Sequence, residues 1–150
     1  MIYLDSSYLV RLYFEDRGFE AVRELAATDT LACGQHGRAE IIAALHRKMR
    51  ERSVTRSLYL VARQQFLDEI RAGAFTWLPL SEAIFERIEF VFASLPATTF
   101  LRAADAMHLS AAAENRFREI YSNDANLLAA ASHFGLRGVD VITRGSGAGE

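Results

Sequence analysis

Cys33 is the only cysteine among 150 residues, so an internal disulfide and a cysteine-built metal site are both excluded. A lone thiol of this kind fits a reducing compartment. Positive charge is not in excess either: 17 basic side chains stand against 19 acidic ones, for a net charge of -2. Domains that grip nucleic acid through overall charge are usually strongly basic, so that class is excluded, although a local basic patch is not. Long hydrophobic runs are missing as well. The first apolar stretch, Ile2 to Leu4, has no basic lead and stops at Asp5, so neither a signal peptide nor a membrane span is expected. The expectation is a soluble cytoplasmic protein with no membrane partner.

What is present suits one globular domain. Half the residues are apolar (51%) and 24% are charged, enough for a sizeable core in a chain of this length. Short strand candidates alternate with longer amphipathic helices. Ile2 to Leu4 reads as a doubly buried strand of a parallel sheet. Tyr8, Leu9, Leu12 and Tyr13 recur at helical spacing, and Gly18 closes that first helix; a second runs from Phe19 to Ala27. Thr30 to Cys33 reads as a strand, Gly34 to Gly37 as a loop, and a helix from near Arg38 carries Ile41, Ile42, Leu45 and Met49. A long helix with Tyr59, Ala62, Phe66 and Ile70 on one face precedes the strand Phe75 to Leu78. Ser81 reads as the cap of the next helix, which Pro96 stops. Leu101 to Ala113 is the most apolar helix, followed by a strand at Glu119 to Ser122, a helix at Asp124 to Phe134 and a last strand at Val139 to Ile142. Such alternation implies an α/β fold with a parallel sheet covered on both faces. The glycine-rich segment 144–150 reads as a flexible tail.

Four acids stand out on this scaffold. Asp5 follows the first strand, where it serves either as a helix cap or as a site residue at the carboxyl edge of the sheet. Asp124 follows the fourth strand. Asp105 shares its helix face with Leu101, Ala104, His108, Leu109 and Ala112, so an ionisable group lies on the inward side. Glu40 is followed by Ile41, Ile42, Ala43 and Ala44. Burying a lone carboxylate is costly unless a cation or a hydrogen-bonding partner offsets it, and Arg38 or Arg102 could supply a structural salt bridge. If the four converge, their mutual repulsion calls for a divalent cation. All-oxygen ligation suits Mg2+ or Mn2+, and phosphodiester hydrolysis is the chemistry such ions commonly support. His108 reads either as a buried, hydrogen-bonded histidine or as a ligand. Arg47, Lys48, Arg50, Arg52 and Arg56 cluster after Glu40 and form either a solvated helix end or a phosphate-binding patch.

The stretches YLDSSYLVRLYFED, RAEIIAALHR, LRAADAMHLSAAAE and IYSNDANLLAAASHFGLRGVDV resemble, in order, the motifs of PIN-domain ribonucleases, most closely the VapC toxins of toxin-antitoxin pairs. The resemblance runs from Ile2 to Val141. It implies a three-layer α/β/α domain over residues 1–143 with a central, mainly parallel sheet of four to five strands. It also implies that Asp5, Glu40, Asp105 and Asp124 hold Mg2+ or Mn2+, and that Ser122 takes a place usually held by threonine. Ser6 is implied near the substrate, with Ser6 or Ser7 capping the first helix and leaving Asp5 free of that duty. The implied activity is endoribonucleolytic, leaving a 5'-phosphate and a 3'-hydroxyl. The implied partners are an RNA substrate, bound in part by Ser6, Arg47, Lys48, Arg50 and Arg52, a cognate VapB-like antitoxin, and a second copy in a homodimer. A PIN nuclease of RNA processing without an antitoxin, or a non-catalytic PIN-fold binding module, are the other readings.

Overall fold

Strands of two to four residues have too little length to present one dry and one wet face, and here both faces are covered. In the computed structural model, which describes residues 1–142, the strands are β1 (Ile2–Tyr3), β2 (Leu31–Gly34), β3 (Phe75–Leu78), β4 (Glu119–Tyr121) and β5 (Arg137–Val139). The helices are α1 (Ser6–Val10), α2 (Phe19–Ala26), α3 (Gly37–Arg50), α4 (Arg56–Arg71), α5 (Glu82–Phe92), α6 (Ala103–Glu114) and α7 (Ala125–Ala130), the last continued by a 3-10 turn at Ala131–Phe134. Every pairing is parallel: β1 on β2, β2 on β3, and β4 on β5. A single parallel bridge, Leu4 to Tyr121, joins the two ladders, and the Asp5 amide donates across the same seam to the Tyr121 carbonyl. The resulting order is β3-β2-β1-β4-β5, with the chain switching direction of growth between β1 and β4. In open parallel sheets the crevice beyond the carboxyl ends at such a switch point is where ligands bind.

Strand alternation divides the core into two layers. Tyr3, Ala32, Leu78 and Ile120 point toward Ile84, Leu109 and Leu127 of α5, α6 and α7. Leu4, Leu31, Cys33 and Phe75 point the other way, toward Leu9, Ile41, Leu45 and Phe66 of α1, α3 and α4. The outcome is the three-layer α/β/α arrangement that the sequence pattern implied. Tyr8, Tyr13 and Phe14 belong to the second core layer. Among the described residues no helix is long and apolar enough to cross a membrane.

Several boundaries differ from the sequence reading. Helix α1 ends at Val10 rather than at Gly18, and turns carry the chain through Phe14. The last strand is Arg137–Val139, not Val139 to Ile142, because β4 starts at Glu119 and its register pairs Glu119 with Arg137. Ser81 occupies the N-cap position of α5 but its hydroxyl makes no capping bond. Residue 143, the expected domain end, and the expected tail 144–150 lie outside the described residues.

β5 lies hard against α7 at Gly138. A Cβ there would stand 2.8 Å from Leu128 Cδ2 and 3.1 Å from the Leu128 Cα and carbonyl oxygen, and the backbone of a helix cannot give way as a side-chain tip can. Gly138→Ala is therefore expected to destabilise the fold by about 1–3 kcal/mol, read as a lower thermal midpoint. An unchanged midpoint would mean that β5 can shift off α7 without cost.

Candidate active site

Asp5 ends β1, and its extended backbone (φ -73, ψ 173) turns the chain into α1. Its Oδ1 accepts from the Tyr8 amide (3.0 Å) and from Ser7 Oγ (2.7 Å), while Oδ2 accepts from Ser122 Oγ (2.5 Å). Asp5 itself caps α1, which corrects the expectation that a neighbouring serine would do so. The two roles are compatible, because a cap occupies one oxygen lone pair and a carboxylate has about four. The side chain is only 4% exposed. Burial raises its pKa above the ordinary carboxylate value, and the three donors together with His108 pull in the opposite direction.

Ser122 follows β4 and is fully buried beneath the cleft. Its hydroxyl donates to Asp5 and accepts from the Asp124 amide (2.9 Å), so one small side chain ties the two strand-end acids together. Asp124 caps α7 through Oδ1, which accepts from the amides of Asn126 and Leu127. Its other oxygen accepts from Arg102 Nη2 at 2.6 Å.

Asp105 lies in the first turn of α6, where the helix dipole favours a carboxylate, and is 7% exposed. Arg102 Nε donates to its Oδ2 at 2.8 Å. The salt bridge that the sequence left open is therefore present, and it reaches further than foreseen: one guanidinium joins Asp105 to Asp124. That side chain is 58% exposed, so the bridge stands at the mouth of the cleft.

Glu40, in the first turn of α3, pairs with histidine and not with Arg38. His108 Nε2 lies 2.7 Å from Glu40 Oε2, and His108 Nδ1 lies 2.8 Å from the Tyr3 hydroxyl, which accepts from the Gly34 amide at 2.9 Å. Burial alone would lift the Glu40 pKa, but the His108 hydrogen bond and charge, with His36, hold it below the ordinary value. Burial opposes charge on His108; Tyr3, Cys33 and Glu40 favour it and leave its pKa raised. His36, across from it with ring centroids 4.1 Å apart, is shifted the other way, to about 4, by burial and by the His108 charge.

These elements enclose a cleft of about 840 Å³. Asp5, Ser6, Glu40, Asp105 and Asp124 line it together with Arg102 and His108, and Arg11, Arg47, Lys48 and Arg50 belong to the same lining, with Asp16 and Glu51. Ser122 is below this surface. Arg52 is not brought to it, because the chain turns at Arg52 with φ 59 after α3 has ended. Lys48 is already engaged with Asp16 at 2.6 Å. The sequence reading missed His36 and the second partner of Arg102. His36 and Glu40 stand four residues apart across a helix start, a spacing that places both on one face, and this was the legible signal for His36. Nothing local pointed to the bridge between Arg102 and Asp124, whose partners are 22 residues apart.

The PIN domain family matches residues 2–133, nearly the whole described chain. The chain belongs to this family. Its fold is also that of solved structures of low sequence identity. FitAcB from Neisseria gonorrhoeae is 13% identical with a TM-score of 0.73, covering 94% of this chain and 98% of that one. VapC20 from Mycobacterium tuberculosis, a toxin described as cleaving the sarcin-ricin loop, is 16% identical with a TM-score of 0.67, covering 87% and 95%. VapBC2 from Rickettsia felis, bound to a DNA fragment from their promoter, is 15% identical with a TM-score of 0.65, covering 93% and 98%. No curated protein matches the chain by sequence.

In this PIN domain the acid at the sheet's seam costs stability while ionised. Its folded pKa is raised, so the cost is felt above the ordinary carboxylate range and vanishes as pH falls below it. Asp5→Asn keeps the shape and an oxygen for the Tyr8 amide. It is expected to stabilise the fold by about 1–2 kcal/mol at neutral pH, with the gain disappearing toward acidic pH. Thermal melts of both proteins across pH check this, and a gain that grows on acidification would contradict it.

Proposed function

We propose that this PIN domain is a divalent-metal-dependent endoribonuclease acting as the toxin of a toxin-antitoxin pair. The observation that carries the reading is the convergence of Asp5, Glu40, Asp105 and Asp124, from four separate segments, on one cleft that Arg11, Arg47 and Arg50 also line. Acids that share a cleft raise one another's pKa unless a cation lies among them. Arg102 is a cation in that position, which shows the chemical character of the place. The donor set is all oxygen and fits Mg2+ or Mn2+. Asp5, Asp105, Asp124 and Glu40 would hold the ion, with Arg102 giving way to it. A divalent ion held there supplies Lewis acidity for hydrolysis of a phosphodiester.

The remaining work falls to the protein's own side chains. Ser7, Ser122 and the Tyr8 amide fix the Asp5 carboxylate in one orientation, and Ser122 carries that order over to Asp124. His108, backed by Tyr3, holds Glu40 ionised. Arg47 and Arg50, on the cleft lining, would take phosphates of a bound strand, with guanidinium forks that suit phosphate oxygens. Ser6, on the cleft lining beside Asp5, would contact the strand near the scissile position.

Partners follow from the same chemistry. A pocket of acids that accepts the Arg102 guanidinium would also accept an arginine from another protein, as an inhibitory VapB-like antitoxin requires. Structures of similar fold include toxin-antitoxin assemblies, which supports the toxin reading over a processing nuclease. Phe85, Phe92 and Phe100 are exposed and supply apolar area for a homodimer or for the antitoxin.

Asp5→Asn or Asp105→Asn is expected to reduce Mg2+-dependent cleavage of RNA by the purified protein by more than about 100-fold, and chelation should do the same to the wild type. Unchanged cleavage by both variants would sink the assignment of the acids. Growth arrest on expression of the wild type but not of Asp5→Asn, relieved by co-expression of the adjacent gene, distinguishes a toxin from a processing enzyme.

Arg102 gives a further check. Removing its charge from between Asp105 and Asp124 leaves their attraction for a cation unopposed, so Arg102→Ala should bind Mg2+ severalfold more tightly by calorimetry. Weaker binding would mean that the guanidinium assembles the pocket instead of competing for it.

A further inference from the structure

We infer that His36, Glu40 and His108 form a binding site for a zinc-class transition-metal ion, which shares Glu40 with the all-oxygen pocket and differs from it by two imidazole ligands. One ligand atom from each of the three lies within 4.8 Å of the other two. His36 and Glu40 are four residues apart at the start of α3, so both project from one helix face; His108 meets them from α6, with its Nε2 2.7 Å from Glu40 Oε2. Two imidazoles and one carboxylate are the donor set of open three-ligand zinc centres. Mg2+ has little affinity for imidazole nitrogen, whereas Zn2+, Ni2+ and Co2+ favour it.

Hydrogen bonding leaves His36 unexplained. Both of its ring nitrogens are buried and have no hydrogen-bond partner among the described residues. The Ala104 backbone lies close enough to influence the ring without meeting hydrogen-bond geometry. Leaving a buried ring nitrogen unpaired is costly, and an ion would satisfy it. The ring is also held in place by its surroundings. A Cβ on Gly34 would stand 2.6 Å from His36 Cε1 and 2.8 Å from Nδ1, so the glycine leaves the space that this ring fills beside His108. His108 has the outer support that a ligating histidine needs, since its Nδ1 is bound to the Tyr3 hydroxyl and Nε2 is directed at the cluster. Glu40 and His108 line the open cleft, which provides a route for an ion to reach them.

The inference does not depend on nuclease activity, because the readout is metal binding alone. Co2+ is the probe: on an open site of three protein ligands it is four- or five-coordinate and gives visible d–d bands much stronger than those of octahedral oxygen coordination. The purified protein is titrated with Co2+ in excess Mg2+, and then with Zn2+. The expected result is one equivalent of Co2+ with a strong visible band that Zn2+ abolishes. His36→Gln should weaken binding by at least about 10-fold, while Asp105→Asn should leave it unchanged. If His36→Gln fails to melt cooperatively, His36→Asn tests the same loss. A wild-type chain without the band, or a band kept by His36→Gln and lost in Asp105→Asn, would place the ion elsewhere and overturn the inference.

Discussion

Asp5 is a carboxylate buried where the two ladders of the sheet meet, and the surrounding architecture has to satisfy it. Its amide donates across the seam to Tyr121, the bridge at Leu4 closes the sheet beside it, and its side chain takes three hydrogen bonds from Tyr8, Ser7 and Ser122. Without those donors an ionised group at 4% exposure would cost several kcal/mol. With them, one residue starts α1, ties β1 to β4 and presents its charge toward the crevice at the switch point. The short first strand follows from the same constraint, since the chain must leave the sheet where this carboxylate is anchored.

Charge around the cleft is arranged in two opposed sets. Asp105 and Asp124 meet Arg102 at the mouth, with Asp5 tied to Asp124 through Ser122, while Glu40 is turned toward His108 and, behind it, Tyr3. The first set is purely oxygen, and the second mixes nitrogen with oxygen. This division is what the two proposed metal sites rest on: a hard divalent ion among the carboxylates and an imidazole-binding ion at the histidines. Glu40 stands between them. Arg11 and the arginines near the end of α3 share the cleft lining with the acids.

Much of the fold could be read from residue patterns because local forces decide it. The alternation of short apolar runs with helical periodicity placed seven helices and five strands in order, all but the end of α1 within a few residues, and the switch from one core layer to the other follows the two-residue strand repeat. Errors fell where a local rule had a distant competitor. The periodic Leu12 and Tyr13 suggested that α1 continued, but turns bury Tyr13 instead. Ser81 looked like a cap by residue type, yet its hydroxyl makes no such bond. The last strand was displaced because its register depends on β4, not on its own sequence.

The sequence by itself determined which residues could do chemistry. Carboxylates beside apolar neighbours are expensive to bury, so Asp5, Glu40, Asp105 and Asp124 were conspicuous before any fold was known. Their order in four motifs also pointed to the PIN family. Only the tertiary structure decided how those charges are compensated: Arg102 shared between Asp105 and Asp124, His108 and His36 gathered at Glu40, Ser122 beneath Asp5, and Arg52 left aside. Hydrogen bonds and ion pairs act over about 3 Å, and chain positions as far apart as Ser122 and Asp5 reach that distance only after the parallel crossovers have closed.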